Sequence, residues 1–365
     1  MREQWENLTA LRAPLLEWYD RRGRKLPWRE APTPYETWVS EIMLQQTRVT
    51  AVIPYYERFL AEAPDVKALA ALPEERLLKL WEGLGYYSRA RNLQRAAKVL
   101  VQERNGELPR GVAALKKLPG IGDYTAAAIA SIHFGAAAPA VDGNLLRVAA
   151  RTALCARDVS AAETKRYIRD RLAEAIDPER PGAWNQAMMD LGATVCLPGG
   201  APLCEGCPVR FFCGARREGL SNTLPVRGEK RPRRAEERTV FLLTRGETLA
   251  VRRRDDKGLL ARMMEFPNVE GNLDEASARV TLSRWGFTAR RLNACGTAAH
   301  IFTHVEWQMK GFCAEVEGEG PEDFRFVDAA AFETLAIPAA FRTYTAQARR
   351  LLWGEENGPQ QAEKR

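Results

Sequence analysis

The sequence predicts an all-α first domain joined by a charged linker to a smaller α+β second domain, and three observations carry that reading. From Leu8 to Val195 apolar residues recur at helical spacing between short Pro/Gly breaks, as in "DVKALAALPEERLLKLWEGLG", "SRARNLQRAAKVLVQERNG" and "DYTAAAIASIHFG". Arg227–Arg238, "RGEKRPRRAEER", then places six basic residues and a Pro where nothing apolar but Ala stands. Beyond it "RTVFLLTRGETLAVRRR" and "HIFTHVEWQMKGFCAEVEG" read as strands around turns, with "DEASARVTLSRWG" as a helix between them. The expected division is residues 1–219 helical, 220–238 linker, 239–353 α+β and 354–365 a frayed tail. A chain of 365 residues has room for two such cores.

Composition narrows the class. Hydrophobic content of 45% and charged content of 28% are globular rather than disordered values. No apolar run reaches the roughly 20 residues of a membrane span. The opening "MREQWENLTALRAPLLEWYD" has no basic stretch followed by an apolar one, the mark of a secretory signal. The expectation is a cytoplasmic monomer in a reducing compartment, where structural disulfides are rare. Lys and Arg outnumber Asp and Glu 54 to 47, and the net charge of +7 favours a polyanionic partner, nucleic acid first.

Three segments could carry chemistry. In "TPYETWVSEIMLQQTRV" the helix start is well marked, with Thr33 and Glu36 as a capping box around Pro34. Trp38, Ile42 and Val49 fall on its buried stripe, and Glu41 and Gln45 share another face. A lone helical glutamate reads most simply as a solvated surface residue. "LKKLPGIGDYTAAAIASI", Leu115–Ile132, ends one helix, turns through Pro119, Gly120 and Gly122, and starts another near Asp123. Glycines free the backbone there and leave the approach open, while N–H groups of the second helix point outwards. That is a helix–hairpin–helix clamp for a DNA phosphate, at about residues 115–130. "AVDGNLLRVAAR" puts Asp142 just ahead of an apolar helical pattern, where an N-cap is the default role. Taken together, Glu41 and Asp142 also suit glycosidic cleavage. One carboxyl can protonate the leaving group and the other can stabilise an oxocarbenium-like centre.

"CLPGGAPLCEGCPVRFFC", Cys196–Cys213, gathers four of seven cysteines in the spacing Cys-x7-Cys-x2-Cys-x5-Cys. With disulfides disfavoured, zinc and iron–sulfur remain. Zinc ribbons pair two Cys-x2-Cys knuckles, whereas Cys204 and Cys207 form one knuckle flanked by single cysteines.

The "LPGIG" hairpin, "VDGN" about twenty residues on and the four cysteines resemble the helix–hairpin–helix DNA glycosylases of the endonuclease III superfamily. "LPWRE", "SEIMLQQTRV", "LWEGLGYYSRARNL" and "FTHVEW" resemble the MutY-type adenine glycosylases within it, with motifs from Pro27 to Trp307. The resemblance implies a multidomain protein: an all-α helix–hairpin–helix glycosylase domain with an iron–sulfur loop at 196–213, then an α+β Nudix-like domain. Cys196, Cys204, Cys207 and Cys213 are the implied ligands of a [4Fe–4S] cluster. The first spacing is one residue longer than the family's, and Gly199 and Gly200 can absorb it. Arg210 and Arg216 nearby would meet the DNA backbone.

The implied activity is excision of adenine mispaired with 8-oxoguanine or guanine in double-stranded DNA, after the base is flipped into a pocket. Bifunctional relatives carry a lysine nucleophile where this chain has Tyr124. A phenol forms no Schiff base, so the implied enzyme is monofunctional, not a glycosylase/lyase. Glu41 would be the acid, its pKa raised by burial, and Asp142 the ionised stabiliser of the sugar cation. Tyr124 and Asn144 would position them, and Trp28, Arg29 and Gln186 would line the adenine pocket. Gln46 and Tyr86 would enter the helix around the lesion pair, Thr47 and Leu84 would touch the 8-oxoguanine side, Tyr87 would stay in the core, and Gly120 and Gly122 would take the phosphate. Phe302, Thr303 and His304 match the loop that recognises 8-oxoguanine, with Thr303 where the family commonly has Ser. A Nudix pyrophosphatase needs paired glutamates on a helix for Mg²⁺. "EFPNVEGNLDEASARVTLSRWGF" lacks them, so the second domain reads as a binding module. Glu41 and Asp142 together argue against a non-catalytic lesion binder. A bacterial, nucleoid-associated enzyme is the implied setting.

Overall fold

The structure, a computed structural model, describes residues 2–200, 202–228 and 232–353; the expected tail at 354–365 lies outside them. In chain order the helices ahead of the sheet are α1 (Glu6–Ala10), α2 (Arg12–Arg22), α3 (Pro34–Leu44), α4 (Val49–Glu62), α5 (Val66–Ala71), α6 (Glu74–Leu80) and α7 (Ser88–Arg104). There follow α8 (Val112–Leu115), α9 (Asp123–Phe134), α10 (Gly143–Thr152), α11 (Ala162–Ala175), α12 (Pro181–Thr194) and α13 (Gly214–Arg217). The capping box on α3 forms as the sequence predicts: Thr33 accepts from Glu36 N, and the Glu36 carboxylate takes the Thr33 N–H. Asp142 caps α10.

Two corrections concern helix ends. The α3 helix stops at Leu44, where Gln45 turns extended and Gln46 takes φ +58°. Val49 therefore opens α4 and lies off the α3 stripe, and Gln45 is no helical neighbour of Glu41. "DVKALAALPEERLLKLWEGLG" is two helices, because Pro73 holds Leu72 extended and ends α5.

The described residues divide into two compact units. The first, Met1–Leu72 with Arg91–Lys230, is helical. Around a core containing Leu15, Leu145, Ala149, Trp184 and Met188, α12 packs on α2, α9 and α10.

The second, Pro73–Ala90 with Arg231–Arg365, is built on a mixed sheet. Its strands are β1 (Arg234–Arg245), β2 (Thr248–Arg253), β3 (Met264–Glu265), β4 (Asn268–Glu270), β5 (Thr288–Ile301), β6 (Val305–Glu317) and β7 (Phe324–Val327). The order is β3-β2-β1-β6-β5, with β4 on β1 and β7 on β2; β1 and β6 run parallel, the other pairs antiparallel. Alternation along β1 sends Phe241 and Leu243 to the face covered by α14 (Glu275–Arg284). Val240 and Leu242 go to the face covered by α15 (Ala329–Thr334) and α16 (Arg342–Trp353).

The boundaries differ from the contiguous expectation in two ways. Residues 73–90 pack with the sheet unit, where Lys79 Nζ donates to Leu335 O (2.9 Å) and Glu82 accepts from Ile337 N (3.0 Å). Apolar periodicity marks a helix's buried face without saying which core covers it. The expected linker 220–238 is also ordered at both ends. Leu224 O and Val226 O accept from Arg151 Nε (2.8 Å) and Val159 N (3.0 Å), within the helical unit. Arg234–Arg238 already belong to β1, paired with Val305–Met309. Their charges looked solvated but are used on the sheet: Glu236 accepts from Trp307 Nε1 (2.9 Å), and Arg238 stacks 4.4 Å over the same ring.

Candidate active site

Glu41 sits on the inward face of α3, only 6% exposed, a correction to the solvated surface position that periodicity suggests. Its Oε2 accepts from the Tyr124 hydroxyl at 2.5 Å, from the first turn of α9. Burial raises the Glu41 carboxyl to about 7; the Tyr124 bond opposes this, the Asp142 charge adds to it and the Arg29 guanidinium opposes it. The Tyr124 phenol is itself raised well above its ordinary value, by burial and by the two carboxyl groups, so it remains a donor.

Asp142 needs no choice between cap and site, because the cap is how the site is made. Its Oδ1 accepts from Asn144 N (2.9 Å) and Leu145 N (2.8 Å), and Oδ2 from Asn144 Nδ2 (2.7 Å). Burial raises this carboxyl too, but those three donors and the start of a helix favour its ionised form.

Glu41, Tyr124, Asp142 and Asn144 line one cavity of about 380 Å³ together with Trp28, Arg29, Gln186 and Thr47, a size suited to a small ligand. Trp28 is buried in the turn Pro27–Arg29, edge-on to Tyr56 at 5.3 Å. Gln186 on α12 accepts from the Tyr19 hydroxyl at 3.1 Å.

Sequence reasoning passed over Asp190, which is fully buried. It takes both arms of Arg29 (2.8 and 3.0 Å), Arg24 Nε (2.7 Å) and Arg24 N (2.9 Å). Those bonds outweigh its burial and hold its carboxyl below the ordinary value. Its position four residues after Gln186 on α12 was the available signal. His133, also overlooked, lines the cavity with Nε2 at 2.8 Å from Thr37 Oγ1.

At the hairpin Gly120 has φ +78°, and a Cβ there would lie 2.6 Å from Asn92 Cβ. Gly122, the N-cap of α9, has open space where a Cβ would stand. Gln46 is exposed and lies outside the residues lining the cavity. Leu84, Tyr86, Phe302, Thr303 and His304 belong to the second unit. Tyr86 is 46% exposed at φ +49°, and its hydroxyl meets Thr303 Oγ1 at 2.6 Å. Phe302 packs edge-on against Trp307 at 4.9 Å, while Thr303 and His304 stand exposed. Leu84 and Tyr87 are both buried.

The four cysteines Cys196, Cys204, Cys207 and Cys213 line a second cavity with Arg151. Arg151 donates to Cys196 Sγ at 3.1 Å, and burial pushes the Cys207 thiol up to about 12. Arg147 links this loop to the first cavity, donating to Asn144 Oδ1 (2.8 Å), Gly192 O (2.7 Å) and Cys196 O (2.7 Å). Among the described residues no three His, Cys, Asp or Glu side chains gather around a single ion position. Gly199 takes φ +65° in the lengthened first spacing. Arg210 and Arg216 are both engaged by Glu205.

A helical fold with a hairpin clamp and a buried carboxyl pair in a ligand-sized cavity defines a base-excision DNA glycosylase. A family profile described as "HhH-GPD superfamily base excision DNA repair protein" matches residues 39–176, and one described as "NUDIX domain" matches 239–347. The chain is 34% identical to the adenine DNA glycosylase of Homo sapiens, covering 93% of this chain and 75% of that one. It is 36% identical to that of Mus musculus, covering 82% and 69%. Among solved structures a thermostable thymine-DNA glycosylase superposes with a TM-score of 0.52 at 25% identity, over 58% of this chain and 98% of that one. The chain belongs to the adenine DNA glycosylase family, enzymes of base excision repair that act on DNA.

Proposed function

We propose that this enzyme excises adenine mispaired with 8-oxoguanine, or with guanine, from duplex DNA, and that it is monofunctional. The observation that carries this is the Glu41 carboxyl, raised to about 7 beside Tyr124, in one cavity with an Asp142 whose oxygens accept three N–H bonds. Adenine flips out of the stack into the cavity. Neutral Glu41 gives its proton to N7, the C1′–N9 bond breaks, and the electron pair leaves with the base. The sugar cation then faces Asp142, whose charge stabilises it. Water adds to C1′ and its proton returns to Glu41. Tyr124 and Asn144 hold the two carboxyl groups in place, and Tyr124 offers no amine for strand cleavage.

Trp28, Arg29 and Gln186 would contact the flipped base, with Arg29 aimed by Asp190. Gly120 and Gly122 present the start of α9 to a phosphate. Gln46 and Tyr86 would enter the helix around the lesion pair, with Thr47 and Leu84 on the 8-oxoguanine side. Phe302, Thr303 and His304 would read 8-oxoguanine from the sheet unit, while the helical unit carries the chemistry.

The cysteine loop fits a [4Fe–4S] cluster: four cysteines line one cavity, and an arginine donates to one of them. Cys196, Cys204, Cys207 and Cys213 would hold it, and when bound it cross-links the end of the helical unit. Base hydrolysis is redox-neutral, and the two carboxyl groups suffice for it.

The deciding experiment incubates the protein with duplex holding 8-oxoguanine opposite adenine, then treats half of it with alkali. Strand breaks only after alkali are expected, with Glu41→Gln binding the duplex without releasing base. Breaks without alkali would identify a lyase, and no breaks at all would leave only a binder.

A further inference from the structure

Base excision leaves two cysteines of the sheet unit without a task, and they are neighbours. Strands β5 and β6 pair as Ala294↔Phe312 and then Thr297↔Lys310, so Cys295 and Gly296 together face Gly311 in a bulge. Cys313, two residues from Gly311, shares that residue's face of β6. Both cysteines pack on the cluster containing Trp307, Phe341 and Tyr344. The missing side chain of Gly311 lets Cys295 lean across, since a Cβ there would lie 2.8 Å from Cys295 Sγ. The two side chains are therefore neighbours at the bulge, close enough to influence each other's titration. That proximity holds the Cys313 thiol below its ordinary value and raises that of Cys295. Both side chains are half-buried, open to a small oxidant.

We infer that Cys295 and Cys313 are a reversible redox pair, which a hydroperoxide converts to an intramolecular disulfide. The Cys313 thiolate attacks a peroxide oxygen, the O–O bond breaks, and the departing oxygen leaves as water with the Cys295 proton. Cys313 is then a sulfenic acid. The Cys295 thiolate attacks the sulfenic sulfur, the S–O bond breaks, and the departing hydroxide takes up the proton Cys313 had released to solvent and leaves as a second water. Two thiols lose two electrons and two protons, and hydrogen peroxide takes them up as two waters. The bulge already places both cysteines on one face of the β5–β6 pair, so the bond closes within the hairpin. The new bond would staple the stem of the β5–β6 hairpin whose tip carries Phe302, Thr303 and His304.

The test treats the full-length protein, metal loop intact, with a few equivalents of hydrogen peroxide, alkylates the remaining thiols and maps peptides without reduction. A peptide joining Cys295 to Cys313, short of two hydrogens and separated again by dithiothreitol, is expected. In Cys295→Ser the linked peptide should vanish and dimedone should trap Cys313 as its sulfenic acid. Free thiols at both positions, irreversible sulfinic acid at Cys313, or linkage of either cysteine elsewhere would overturn the inference. The wild-type map decides the matter even if a variant fails to fold.

Discussion

Replacing Glu41 by Gln separates burial from chemistry in a single variant. An ordinary glutamate titrates at 4.5, and in the folded protein Glu41 titrates at about 7. The folded state therefore holds this proton more tightly than the unfolded chain, and stability falls as pH rises through the window between those values. Above that window the full difference applies, about 3 kcal/mol at about 1.4 kcal/mol per pH unit. Gln is neutral at every pH, can still accept from Tyr124 and removes the penalty. Glu41→Gln should be about 3 kcal/mol more stable than wild type at about pH 8, and less than about 1 kcal/mol more stable at about pH 5. Urea unfolding followed by tryptophan fluorescence at the two pH values measures both differences. Base release should be lost, and in wild type it should decline as pH rises past about 7, where the acid loses its proton. Equal stability differences at both pH values would refute the raised carboxyl. Normal excision by the variant would remove Glu41 from the chemistry.

Further outcomes follow from the same geometry. Asp190→Ala leaves the half-buried Arg24 and Arg29 without their carboxylate and should cost about 2–4 kcal/mol in urea unfolding. Because that carboxyl is depressed, its contribution is complete above the ordinary carboxylate range and is lost as pH falls through the folded value, so the deficit should shrink in acid. Tyr124→Phe removes a donor that favours ionised Glu41, so the alkaline decline of excision should move to higher pH, and an unmoved pH–rate profile would count against the pairing. Gly120→Ala meets Asn92 at φ +78° and should destabilise the hairpin by roughly 1–3 kcal/mol. Gly122→Ala meets nothing and should unfold like wild type while binding duplex more weakly in a salt titration.

Much of the site was legible before the fold was seen, for identifiable reasons. The Thr33–Glu36 box, the Asp142 cap and the hairpin glycines are local devices, each set by residues within a few positions of one another. The alternation that separates Phe241 and Leu243 from Val240 and Leu242 is equally local. Asp190 was hidden because its partners lie far back in the chain, and nothing near "WNQAMMDLGA" announces an arginine at 24 or 29. The segment 73–90 was misplaced because a helix carries no label for the core it serves. Arg234–Arg238 read as solvent-facing because Trp307, which engages Glu236 and Arg238, stands on another strand.

By itself the sequence determined the two kinds of architecture, the hairpin, the four-cysteine spacing and the identities of the two carboxyl groups. Those properties reside in residue type and short spacing. Only tertiary structure decided that the Glu41 carboxyl is buried and raised rather than a surface charge, because its pKa depends on water excluded by residues from several helices and on a phenol 83 positions away. Proximity across the chain likewise made Asp190 the holder of Arg29, and a bulge opposite Gly311 made neighbours of Cys295 and Cys313. Electrostatic and redox character belong to an environment, and an environment exists only once the chain has folded.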